Sequence, residues 1–115
     1  MKTRLREKFS FDAAHAVVIN GEPEEVHSHT FKGEVLIEGK VKEGYIMDFL
    51  ELRKIIEMTI APLKHKNLNR IFKNPTTENI ALWIAEQIKT NLPENIKLYK
   101  IILWEGDENG VEFEF

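Results

Sequence analysis

The chain has 115 residues, 43% hydrophobic and 30% charged, with a formal net charge of -3 and no cysteine. That length suits one domain, residues 1–115, around one core, and no stretch approaches the roughly 18 apolar residues of a membrane helix. The missing cysteine excludes disulfides, thiolate metal ligands and a cysteine nucleophile, and the mixing of acidic with basic residues leaves no electrostatic footprint for nucleic acid.

Met1-Lys2-Thr3-Arg4 opens a charged, alternating segment with no apolar run behind it, which predicts a cytoplasmic chain without a signal peptide. Leu5, Phe9 and Phe11 share one parity, the period of a half-buried strand that ends near His15. Phe31, Val35, Ile37 and Val41 repeat that parity over Thr30 to Val41, with Gly33 and Gly39 in phase as possible bulge sites. Asp48 then opens a helix as its N-cap, with Glu51 three residues on to complete a capping box and Pro62 near the helix end. The run LKHKNLNRIFKNP reads as loop. Pro75-Thr76-Thr77 precedes a second helical pattern of Ile80, Trp83, Ile84 and Ile88, stopped by Pro93. Ile96 to Glu105 is a strand, and GDENG turns into a last strand carrying Val111, Phe113 and Phe115. The predicted fold is α+β, ββααββ: an antiparallel four-stranded sheet with both helices on one face. Neither sheet edge is blunted by proline, which favours closure by further copies of the chain.

The stretch EEVHSHTF sets His27 and His29 two apart, so both project from one face of a strand. An antiparallel hairpin returns this point to the end of the first strand, where His15 lies. Three imidazoles leave one tetrahedral position of zinc open, the pattern of a catalytic site. An H-x-H pair alone is more often a surface coincidence; with His15 added, the metal reading stands level with it.

The chain resembles the 6-pyruvoyl tetrahydropterin synthase and 6-carboxy-tetrahydropterin synthase family nearly end to end. The resemblance rests on FSFDAAH at 9–15, HSH at 27–29, GYIMDF at 44–49, LKHKNLN at 63–69, PTTENIA at 75–81 and the glutamate of LWEG at 105. It implies zinc on His15, His27 and His29, and a tunnelling-type fold whose subunits form a barrel-shaped trimer, two of which stack into a homohexamer. It places the active sites at subunit interfaces. It also implies that Glu105 holds the amino-pyrimidine edge of a pterin through paired charge-assisted hydrogen bonds, with Thr76 and Thr77 as ring-binding neighbours. Thr76 and Thr77 equally suit the N-terminus of a helix, and Asp48 is assigned to capping alone.

Two family residues are missing. Where most members carry a cysteine base before HxH this chain reads GEPEEV, and Lys64 stands where an aspartate precedes the histidine matching His65. Some relatives use a glutamate in place of the cysteine, which makes Glu24 or Glu25 the candidate base. A solvated acidic loop is the competing reading of that pair. His65 is a further candidate for proton transfer, with Asp48 as a conceivable partner across the fold. The expected function is a zinc-dependent lyase or synthase acting on the C6 side chain of 7,8-dihydroneopterin triphosphate or a close relative, in tetrahydropterin or queuosine synthesis. The alternative is a zinc-containing pterin or purine binder that has lost the chemistry.

Overall fold

The computed structural model describes residues 1–115. Six strands and two α-helices follow in the order β1 (Thr3–His15), β2 (Val18–Ile19), β3 (Glu22–Pro23), β4 (His27–Gly39), α1 (Phe49–Ile60), α2 (Thr77–Asn91), β5 (Lys97–Glu105) and β6 (Asn109–Glu114). The main sheet has the order β1-β4-β5-β6, antiparallel throughout. The predicted ββααββ arrangement is therefore present, with a small extra ribbon of β2 and β3 inserted between the first two long strands.

Alternation decides which face is dry. Phe9, Phe11, Phe31, Val35, Ile37, Leu98, Ile101 and Leu103 point to one side and are buried against Leu52, Ile56 and Ile60 of α1 and Ile80, Ile84 and Ile88 of α2. The opposite face carries Arg4, Arg6, Lys8, Lys32, Glu34, Glu112 and Glu114, so the sheet is apolar on one side and charged on the other. Helix α1 contacts β1, while α2 lies over β5 and β6.

No bulge forms at a glycine in the β1–β4 pair, whose register runs unbroken from Thr3↔Gly39 to His15↔His27. Gly33 has a different reason: it faces Phe9, whose ring would lie 2.1 Å from a Cβ there. The irregularity falls in β5 instead, where Leu36 pairs with Lys100 and Ile37 with Leu98, leaving Tyr99 unpaired.

Asp48 caps α1 by accepting from the Leu50 amide at 2.8 Å, as expected, with Glu51 in the first turn. Pro62 sits within a 3-10 turn, Ala61–Leu63, that continues α1. Part of the β1 edge is blunted after all: the His65 amide donates to Asp12 O at 2.7 Å and the Ala14 amide to Lys66 O at 2.9 Å. The loop after α1 therefore covers the His15 end of β1.

Candidate active site

The β1–β4 register puts His15 opposite His27 and Ala13 opposite His29. All three histidines share the parity of Phe11 and Phe31, so they continue the core face beyond its last aromatic layer, with His15 edge-on to Phe31. Their ring centroids lie 4.5 to 5.3 Å apart. In β5, Glu105 pairs with Phe31 and reaches the same place. One carboxylate oxygen, Oε1, is 2.7 Å from His29 Nε2, 3.4 Å from His15 Nε2 and 3.8 Å from His27 Nε2. The other, Oε2, accepts from the Thr77 hydroxyl at 2.9 Å. The resemblance assigns Glu105 to the pterin ring and not to the metal, yet the four donor atoms lie within 4.8 Å of one another.

Hydrogen bonding orients the rings. His15 Nδ1 lies 2.8 Å from Pro75 O and His27 Nδ1 2.9 Å from Glu25 O. A carbonyl only accepts, so each Nδ1 bears a hydrogen and each ring turns Nε2 toward Glu105. The carboxylate also only accepts. His15 Nε2 and His29 Nε2 are buried without a hydrogen-bond partner, because even the 2.7 Å contact at His29 is not aligned as one. Converging acceptors repel unless a proton or a metal cation lies among them. Three imidazole nitrogens and one carboxylate oxygen are also the donor types zinc takes. The residues present fit that ion.

Electrostatics point the same way. Burial lowers the His29 pKa, with the His27 and His15 rings adding to it and Glu105 opposing. Burial pushes Glu105 upward, but the Thr77 hydrogen bond and the His15 and His29 rings outweigh it and hold the carboxyl below its ordinary value. The result near neutral pH is an uncharged His29 beside an ionised Glu105, the protonation states metal binding requires.

His15 is 1% exposed, whereas His27 and Glu24 are 36% and 41% exposed, so the cluster is closed at its base and opens toward Glu24. Glu24 Oε1 is 3.6 Å from His27 Nε2 and accepts from the Val17 amide at 3.1 Å. Glu25 differs: its carbonyl orients His27, while its side chain is exposed. The geometry thus separates two residues the sequence left equivalent. Thr76 caps α2 by accepting from the Asn79 amide at 3.1 Å, and Thr77 turns inward to Glu105.

His65 does not join the cluster within one chain; it is exposed on the β1 edge, at φ 58°. Asp48 does not partner it, being committed to α1 beside Thr3 and Leu5 at the far end of the sheet. Lys64 pairs with Glu57 at 2.7 Å instead of turning to His65.

Several positioning residues were not foreseen. Asn20 and Gly21, at φ 52° and 78°, form the tight turn between β2 and β3 that folds Glu24 back to His27. The Asn-Gly pair was its signal. Asn69 accepts from the Ala16 amide and donates to its carbonyl, both at 2.7 Å, and Asn74 does the same at Val18 at 2.9 and 3.1 Å. These two side chains hold the segment after His15 as a neighbouring strand would.

The family model described as 6-pyruvoyl tetrahydropterin synthase matches residues 4–114. The dihydroneopterin monophosphate aldolase of Pyrococcus furiosus is 56% identical over 115 residues, the whole of both chains. The human 6-pyruvoyl tetrahydrobiopterin synthase is 34% identical over 96 residues, 76% of this chain and 66% of that one. Among solved structures, the Caenorhabditis elegans 6-pyruvoyl tetrahydropterin synthase superposes with a TM-score of 0.85 at 22% identity, covering 100% of this chain and 96% of the other. A catalytic-residue mutant of the Plasmodium vivax synthase gives 0.82 at 16% identity, covering 100% and 99%.

Proposed function

Since this chain belongs to the 6-pyruvoyl tetrahydropterin synthase family and is an enzyme of pterin metabolism, we propose that it is a zinc-dependent aldolase that cleaves the C6 side chain of a phosphorylated 7,8-dihydroneopterin. The observation that carries this reading is the carboxylate of Glu24 at the open side of three converging imidazoles, in a chain with no cysteine. The full-length likeness to the Pyrococcus furiosus aldolase favours a monophosphate as substrate.

His15, His27 and His29 would hold the zinc through Nε2. Bound zinc supplies Lewis acidity toward the oxygens of the side chain. Glu105 and Thr77 lie where they can receive the amino-pyrimidine edge of the ring, and that edge offers two N–H donors in parallel to one carboxylate. Glu24 acts as the base. It takes the proton of the 2′ hydroxyl; that oxygen forms a carbonyl as the C1′–C2′ bond breaks, and the bonding pair passes to C1′ and the conjugated ring. Protonation at C1′ leaves a 6-hydroxymethyl dihydropterin and a phosphorylated aldehyde, with no net oxidation. His65 stands outside this set in one chain and becomes relevant to catalysis only across a subunit boundary.

The deciding experiment incubates zinc-loaded protein with dihydroneopterin monophosphate, and separately with the triphosphate, and identifies the products by mass. Hydroxymethyl dihydropterin with a two-carbon phosphorylated aldehyde is expected. A pyruvoyl or carboxy pterin would replace aldol cleavage by the synthase reaction, and binding without turnover would leave only the pterin-binding alternative.

A further inference from the structure

Glu105 is placed more narrowly than ring binding demands. A residue waiting for a ligand in an open site would be expected to turn its carboxylate to solvent. Here Oε1 is thrust among the three Nε2 atoms and Oε2 is tied back by Thr77. At His15 and His27 the Pro75 and Glu25 carbonyls accept from Nδ1, which leaves both Nε2 atoms turned to this carboxylate. Thr77 stands in the first turn of α2, where helix amide dipoles also favour a negative charge. Pro75 and Thr77 thus serve the cluster from one segment: Pro75 aims His15, and Thr77 aims Glu105.

Resting on the metal reading above, we propose that Glu105 is the fourth donor of the metal centre in the pterin-free protein, latched by Thr77, and that an incoming pterin competes with the metal for this carboxylate. Three histidines and one carboxylate complete a tetrahedral set, so the free protein would hold its ion closed to water. When the pterin's amino-pyrimidine edge draws Glu105 away, the fourth position is released to the side chain of the same molecule. Binding at one end of the substrate would then uncover the centre at the other, which keeps the Lewis acid masked until the ring is in place.

The test uses the full-length protein stripped of metal. Zinc affinity is measured by competition with a chromophoric chelator, and the cobalt(II) form is examined by visible absorption, for the unaltered chain, Glu105→Gln and Thr77→Val. Glutamine keeps the size of the side chain and can still accept from Thr77, so the fold is preserved while the charged donor is lost. Zinc binding is expected to weaken by about 10- to 100-fold in Glu105→Gln and by less in Thr77→Val, with altered cobalt bands in the former. Neopterin added to the unaltered cobalt protein should move its bands toward those of the glutamine variant. If Glu105→Gln binds zinc as tightly as the unaltered chain with the same cobalt bands, the proposal is overturned and the three-histidine site stands. Cobalt bands that ignore neopterin while it binds would overturn the competition. An unaltered chain that binds no zinc at all would remove the metal reading and this proposal together.

Discussion

Gly33 is held small by a neighbouring side chain and not by its own backbone. The Phe9 ring occupies the space above it, so Gly33→Ala must displace an aromatic buried between strands and should destabilise the protein by about 1–3 kcal/mol. Urea unfolding measures this, and an unchanged midpoint would mean that the ring moves freely. The acidic pair makes a sharper contrast. Glu24→Gln should lower kcat by about a hundredfold or more without releasing zinc, because a general base commonly contributes ~10²–10⁴-fold. Glu25→Gln should leave turnover close to normal, since only its main chain serves the site. Equal losses in both variants, or normal turnover in Glu24→Gln with collapse in His65→Ala, would move the base elsewhere. Replacing His27 or His29 by alanine should abolish tight zinc binding; metal content retained in both would remove them as ligands.

Between the elements, the two asparagine clamps make the clearest prediction. Asn69→Ala removes two hydrogen bonds to Ala16, next to buried His15, and should cost about 1–3 kcal/mol while loosening zinc binding. Thermal melting and chelator competition on the same variant check both effects, and a variant matching the unaltered chain in each would reduce Asn69 to a surface residue. These clamps also mark where the sequence stops being readable. Strand parity showed His15, His27 and His29 meeting on one face, because alternation is local and the hairpin register follows from it. Asp48 and Thr76 were legible as caps for the same reason: their bonds reach only two or three residues ahead. The loop LKHKNLNRIFKNP carried no such pattern, since Asn69 and Asn74 act on partners 53 and 56 residues away. Glu24 and Glu25 were equally indistinguishable until the Asn20-Gly21 turn fixed which one faces His27. The approach of Glu105 to the imidazoles depends on β5 crossing back to β4 after both helices, a contact no local pattern encodes.

At the scale of the molecule, four antiparallel strands leave β1 and β6 running in opposite directions at the two edges. A second copy can therefore add its β1 to β6 and continue the alternation, and on the charged face that brings Arg4, Arg6 and Lys8 toward Glu112 and Glu114. We expect a ring of three, stacked in pairs as the family resemblance implies, so light scattering should give a trimer or hexamer, weakened by high salt. A stable monomer at micromolar concentration would contradict both the ring and any role for His65 across a boundary. The unpaired Tyr99 bears on the same architecture. Leu98 and Ile101 are three residues apart yet both face the helices, because the strand spends one residue without crossing sides. Every position from Lys100 onward inherits that offset. Were Tyr99 instead paired as an ordinary strand residue, plain alternation from Leu98 would swing Trp104 into the interior and Glu105 onto the outer, charged surface. The chemistry of this protein therefore depends on a skipped step earlier in the same strand, at a residue whose own hydroxyl is turned away to Glu114.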